Sequence, residues 1–117
     1  LVTTPEPVIG LDNIMVEKLS CGLGFSAVLS SVGAVYTWGR NQHGQLGIGS
    51  SEETVTMPKQ IKVLTNVSIE GICCSNNHML AWTDKNKTFT WGSTRNYRLG
   101  CDTDKKMVSS PKIIESL

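Results

Sequence analysis

The feature that most constrains this chain is an internal repeat. Trp38 and Trp91 stand 53 positions apart, and Gly39 and Gly92, Leu46 and Leu99, and Gly47 and Gly100 keep that offset. Pro5, Pro58 and Pro111 keep it as well, as do Leu11, Leu64 and Leu117, and Cys21 and Cys74. Residues 1–64 laid over 54–117 without a gap share 17 identities, where ordinary residue frequencies would give about four. Apolar exchanges follow the same frame: Val8/Ile61, Ile14/Val67, Val16/Ile69, Leu19/Ile72 and Tyr36/Phe89. A repeat of this length is one supersecondary unit that buries its apolar face only by stacking on a neighbour.

The unit reads as short strands. From Pro58, "PKQIKVL" is an extended piece behind a proline, suited to the start or edge of a strand. "VSIEGICC" (67–74) and "HMLAWT" (78–83) are short apolar runs, and "TDKNK" (83–87) has the polar composition of a hairpin turn. "TFTW" (88–91) alternates threonine with aromatics, as a half-buried strand does. No stretch sustains a 3.6-residue period for ten residues, so no long helix is expected. Four short strands in 53 residues describe one antiparallel propeller blade. The expected fold is all-β: two tandem four-stranded antiparallel blades, a partial, open β-propeller. Residues 1–13 are expected to be the tail of a preceding repeat and a linker strand, 14–63 the first blade, and 64–117 the second blade with the start of the next repeat. Two blades cannot close a ring, and seven at this period need roughly 370 residues. The chain therefore reads as a piece of a longer array.

Composition narrows the class. The 117 residues are 39% hydrophobic and 18% charged, which is globular rather than disordered. A formal net charge of +1 gives no argument for nucleic acid. The charge is uneven, however: residues 1–58 carry two basic and five acidic side chains, and residues 59–117 carry nine and five. No apolar run has the roughly twenty residues of a membrane helix, and residues 1–20 lack a signal-peptide layout. Four cysteines do not make a disulfide scaffold in a chain this long. A reducing compartment, cytoplasmic or nuclear, is the expectation, and the sequons at Asn66 and Asn86 are then coincidental.

The order of proline, spaced apolar residues, Cys, His and "TFTWG" resembles the repeat of the regulator of chromosome condensation family, a seven-bladed propeller. "VYTWGRNQHGQLGIG" (35–49) is its most specific part. The resemblance assigns structural signature positions to Cys21, Trp38, Gly39, Leu46, Gly47 and Pro58, and to Cys74, His78, Trp91, Gly92, Leu99, Gly100 and Pro111. The family's usual pattern is Cys-Gly, then His three residues after the glycine. Here Phe25 replaces that His in the first unit, and Ser75 replaces the glycine in the second. The resemblance implies a protein-interaction module or, alternatively, a guanine-nucleotide exchange factor for a Ran-like small GTPase, whose loop wedge matches no residue of this chain.

Other chemistry is poorly supported. Gly39, Gly44, Gly47 and Gly49 resemble a phosphate loop in composition, but no lysine lies between Lys18 and Lys59, and a Walker loop needs Gly-Lys-Ser/Thr. Turns requiring positive φ explain them better. "GLGFSA" (22–27) fits a loose dinucleotide pattern, yet strand-like residues follow it where that mechanism requires a helix. Cys73, Cys74 and His78 are the one metal-like cluster, and adjacent strand residues point to opposite faces; buried thiols and a structural histidine are expected instead. Ser26, Ser75 or a cysteine beside His78 lacks a nucleophile context, and the one adjacent acidic pair, Glu52-Glu53, falls in a loop. No enzyme activity, cofactor or metal is expected. Trp38 and Trp91 are expected to wedge between blades, each N–H needing a partner. Arg95, Tyr97 and Arg98 replace Gln42, Gly44 and Gln45 with residues typical of interface hot spots. With Lys105 and Lys106 they form a candidate patch for an acidic protein surface. The expected partners are other proteins, a small GTPase among them, and the remaining blades of a parent propeller or a second copy. Membrane and nucleic acid are not expected partners.

Overall fold

Apolar runs of about six residues separated by short polar turns can pair only with their sequence neighbours, because a two- to four-residue link permits nothing but an antiparallel hairpin. The computed structural model, which describes residues 10–11, 13–50, 52–85, 87–93 and 107–113, follows that rule for the first three strands of each sheet, while the fourth strand joins the third across a link of thirteen residues. Strands β1 (Val16–Cys21), β2 (Phe25–Ser30), β3 (Val35–Arg40) and β4 (Thr54–Gln60) form one antiparallel sheet in chain order. Strands β5 (Ile69–Cys74), β6 (His78–Thr83), β7 (Thr88–Ser93) and β8 (Met107–Ile113) form a second. The fold is all-β, as expected, with a single 3-10 turn at Lys62–Leu64 as the helical element among the described residues.

The repeat is reproduced strand by strand, with every strand of the second sheet beginning and ending 53 positions after its counterpart. Pairing registers repeat too: Phe25 opposes Gly39 as His78 opposes Gly92. Irregularities recur at Val16/Lys18 and Ile69/Gly71, and again at Thr37/Gly39 and Thr90/Gly92. The last pair explains the glycine of the Trp-Gly dipeptide. Gly39 and Gly92 take φ of 111° and 109°, and a Cβ would lie 2.5 Å from the Gly24 carbonyl or 2.4 Å from that of Asn77. Only glycine fits there.

One expectation is corrected. "PKQIKVL" is not one extended piece: Pro58–Gln60 closes β4, which begins at Thr54, and Lys62–Leu64 forms the 3-10 turn. Proline is accommodated because β4 pairs on one side only, so its missing N–H leaves no ladder partner unserved. The turn then buries Leu64, while Ile61 N–H bonds the Val35 carbonyl at 2.9 Å.

The core lies between the sheets. Phe25, Ala27, Leu29, Val35 and Leu46 from the first unit meet Ile69, Ile72, Met79, Ala81 and Trp91 from the second in one buried cluster. Polar bonds cross the joint beside it. Cys74 N–H reaches Ser20 Oγ (3.0 Å), Leu23 N–H the Asn76 carbonyl (3.0 Å), and Ile69 N–H the Gly33 carbonyl (3.2 Å). Each sheet therefore has a facing side and an outer side.

Candidate interaction surface

The link between β3 and β4 contains "NQHGQLGIG" (41–49) and is tied to the fold by a dense set of hydrogen bonds. Asn41 organises it from a buried position. Its Nδ2 donates to the carbonyls of Ser50 (3.2 Å) and Glu52 (2.8 Å), and its Oδ1 accepts from Leu46 N–H (3.2 Å). Its own N–H bonds the Glu53 carbonyl at 2.8 Å. Two successive turns follow, with Gly44 N–H bonded to the Asn41 carbonyl and Gly47 N–H to that of Gly44, both at 3.1 Å. His43 N–H donates to Gln45 Oε1 (2.8 Å), and Thr37 Oγ1 donates to the Leu46 carbonyl (2.7 Å). Gly44, Gly47 and Gly49 have φ near +70°.

This accounting decides the chemistry of the loop. The N–H groups of Asn41, His43, Gly44, Leu46 and Gly47 are all committed to acceptors within the loop or its flanks. A phosphate cradle needs such groups free and converging on the ligand. The loop is instead a rigid ornament on the sheet, bolted to its neighbour. Trp91, fully buried on β7, donates its Nε1–H to the Gln45 carbonyl at 3.0 Å. A Cβ on Gly47 would lie 2.6 Å from that same nitrogen, so Gly47 lets the indole lie flat against the backbone. Trp38, its counterpart, is half-buried on the outer side of the first sheet and packs against the edge of the core.

The loose dinucleotide pattern is likewise a strand-to-strand turn. Gly22 N–H bonds the Phe25 carbonyl (2.9 Å), Leu23 N–H crosses to Asn76, and β2 begins at Phe25. The Phe25 ring lies over Gly22, where a Cβ would come within 2.1 Å of it. His78 is half-buried on β6 at the position matching Phe25.

The cysteines depart from expectation. Among the described residues they sit on the first strands of the two sheets, β1 and β5, where Cys21 and Cys73 are exposed and Cys74 is half-buried; Cys101 lies outside the described residues. The reason is that β5 meets the first sheet through one face only: Cys74 lies on that facing side and Cys73 on the outer side. Burial pushes the Cys74 thiol up to about 11, against a smaller opposing pull from its contact with Ser20. Among the described residues no group of three His, Cys, Asp or Glu side chains is placed to hold a metal ion.

Outward the loop presents polar and charged side chains. Arg40 Nη2 donates to Gln42 Oε1 at 2.7 Å, both side chains exposed, with Leu23 exposed on the neighbouring turn. Arg95, Tyr97 and Arg98, together with Leu99, Gly100, Lys105 and Lys106, lie outside the described residues. Their counterparts in the first loop differ in setting: Gln42 is exposed, whereas Gly44 and Gln45 are buried. Pro111 is buried on β8. The Asn41 anchor was not anticipated; the signal was present, since an asparagine directly after a Trp-Gly-x strand end is suited to closing turns with its own side chain.

Comparison with known proteins agrees with this geometry. The model of the Regulator of chromosome condensation (RCC1) repeat matches residues 32–82, and a second model of the same repeat matches 16–45. The human probable E3 ubiquitin-protein ligase HERC6 is 34% identical over 97% of this chain and 11% of its own length. The ultraviolet-B receptor UVR8 of Arabidopsis thaliana is 33% identical over 87% of this chain and 23% of its own. The chain thus spans less than a quarter of either relative. Among solved structures, Prp20p of Saccharomyces cerevisiae, described with its binding properties to Gsp1p and histones, superposes with a TM-score of 0.87 at 22% identity, over 98% of this chain and 29% of that one. That likeness concerns the fold. No helix among the described residues is long and apolar enough to cross a membrane.

Proposed function

The chain belongs to the regulator of chromosome condensation repeat family, and from that premise we propose that it is a protein-interaction module, two blades of a β-propeller that grip another protein through their loops. The observation that carries this reading is the β3–β4 loop. Five of its backbone N–H groups are bonded within the loop or its flanks and its Gln45 carbonyl is held by Trp91, so its exposed side chains are pre-organised for contact, which lowers the ordering cost of binding. Residues 14–63 and 64–117 are the two blades in this reading, and 1–13 the end of a preceding one.

The partner-binding residues are Arg95, Tyr97 and Arg98 on the second blade's equivalent loop, supported by Lys105 and Lys106. Two guanidinium groups around a tyrosine suit an acidic protein surface. The binding of yeast Prp20p to Gsp1p and histones is in keeping with a protein partner. Nucleotide exchange on a small GTPase is the less favoured role, because no residue here corresponds to the family's wedge. The module works without catalysis or cofactor, in the cytoplasm or nucleus. Although HERC6 is a ligase by name, it matches this chain over 11% of its length, and its activity does not transfer with a repeat.

The test is quantitative affinity capture with the wild-type chain and Tyr97→Ala, with thermal melts confirming that both are folded. At least one captured protein is expected to fall tenfold or more with the substitution. An identical partner profile would remove the patch, and failure of the folded wild type to capture any protein would remove the module. Accelerated nucleotide release from a purified small GTPase would promote the exchange reading instead.

A further inference from the structure

The joint between the two units carries two clefts of opposite charge. One, of about 240 Å³, is lined by Glu17, Glu70 and Asp84. The other lies at the rim, where Ile48 and Ser50 of the β3–β4 loop, Lys59 and Gln60 of β4, and Lys62 of the 3-10 turn border about 430 Å³. That volume falls within the roughly 300–1,000 Å³ of clefts that hold ligands. The loop makes this cleft by folding back over β4. Thr37 Oγ1 holds the Leu46 carbonyl at 2.7 Å, and Lys59 stands opposite Thr37 in the sheet. The 3-10 turn lies against β8 of the second sheet, so the cleft stands where the two units meet. Ile48 packs on the core and gives the cleft an apolar wall, while Val63, next to Lys62, is 60% exposed. The fold does not require two lysines here. One repeat later the equivalent positions hold Lys112 and Glu115, and one repeat earlier Glu6 and Ile9.

We propose that this rim cleft binds an acidic segment of a partner protein, with a carboxylate between Lys59 and Lys62 and an apolar side chain against Ile48. The inference rests on the interaction-module reading and adds a second point of contact to it. Charge selects the ligand, since two ammonium groups line one cleft and complementary charge sets which partner is admitted. Glu52 Oε2 lies 3.7 Å from Lys59 Nζ, and no carboxylate among the described residues pairs with Lys62. The Lys59–Glu52 pair is itself weak, because its side chains are 53% and 57% exposed and water screens such contacts. An incoming carboxylate therefore displaces Glu52 from Lys59 at little cost and gains Lys62 as well.

The experiment follows the fluorescence anisotropy of a labelled peptide, Glu-Glu-Leu-Glu-Glu, titrated with the full chain at low salt, where exposed charges are least screened. Wild type is expected to bind it and to leave the matched Gln-Gln-Leu-Gln-Gln peptide free. Lys62→Glu, a change the second unit carries naturally at Glu115, is expected to weaken binding about tenfold by turning attraction into repulsion, and so is Lys59→Glu. Lys85→Glu makes the same change of charge on the exposed β6–β7 turn and is expected to stay within about twofold of wild type. Glu52→Gln is expected to tighten binding about threefold, because it removes the competing carboxylate. Circular dichroism and thermal melts confirm that each variant is folded. A folded wild type that ignores the acidic peptide would overturn the inference. So would equal losses in Lys62→Glu and Lys85→Glu, or a Glu52→Gln chain that binds more weakly. Tyr97→Ala is expected to leave the peptide affinity unchanged, so the cleft and the loop patch fail separately.

Discussion

Cys74 shows how one residue's chemistry is set by which side of a strand it occupies. Its thiol is desolvated at the joint and held up to about 11, well above the ordinary thiol value of about 8.5. The neutral form is therefore favoured in the folded chain. Its contribution to stability is complete below the ordinary thiol value and is lost as pH rises through about 11, because the unfolded chain gains from ionising first. At pH 8 the folded thiol is about one part in a thousand thiolate. Alkylation with iodoacetamide, followed by peptide mapping, is expected to modify exposed Cys21 and Cys73 at least tenfold faster than Cys74, with the difference erased in urea. Equal rates in the folded chain would mean that the thiol is neither desolvated nor shielded. The placement of these cysteines was only half legible. Strand alternation separates Cys73 from Cys74, but whether either face is covered depends on the neighbouring sheet, which no local pattern encodes.

Between loop and sheet the decisive joint is Gly47 against Trp91. Gly47→Ala meets two penalties, a φ of +69° and a Cβ 2.6 Å from a fully buried indole nitrogen. Together they are expected to cost about 2–4 kcal/mol. Gly49→Ala, at a similar φ of 70° on an exposed residue, is expected to cost only about 1 kcal/mol. Urea midpoints of the two variants measure the difference, and equal losses would show that the indole contact adds nothing. At this scale the strands themselves were readable, since alternation and turn chemistry are local and both units repeat them. The failure at "PKQIKVL" is equally local in cause. Of the two positions that suited the proline, start or edge of a strand, it takes the second: it lies inside the edge strand β4 and does not open a new one. For the candidate site, the glycine-rich loop was legible as a turn and not a phosphate site, because the lysine and helix that phosphate binding requires are missing from the sequence. Its anchoring by Asn41 depends on carbonyls as far along the chain as Glu53 and could not be read from spacing.

As a whole molecule, the chain is one cooperative unit or two sheets that happen to touch, and the distribution of its core decides which. Phe25, Ala27, Leu29 and Leu46 on one side and Ile72, Met79, Ala81 and Trp91 on the other form a single buried cluster. Neither sheet keeps a core of its own if the joint opens, because each would expose its facing side to water. Fully burying such side chains stabilises by roughly 1.5–3 kcal/mol apiece, while a small domain has only about 5–15 kcal/mol in total. Losing several of these contacts removes the margin by which either sheet stays folded. Nearest-neighbour coupling in a repeat array therefore dominates the stability intrinsic to one repeat. Unfolding in urea is expected to be a single transition, with the tryptophan fluorescence of a Trp38→Phe, Trp82→Phe chain, which leaves Trp91 at the joint as the sole reporter, coinciding with far-ultraviolet circular dichroism, which reports the strands. A fluorescence change that precedes loss of strand signal would mean that the joint opens while the sheets persist, and blade stability would then be intrinsic rather than shared. The same coupling makes the second sheet a requirement for the first: a chain cut after residue 64 leaves the facing side of β1–β4 uncovered and is expected to show no cooperative transition at all.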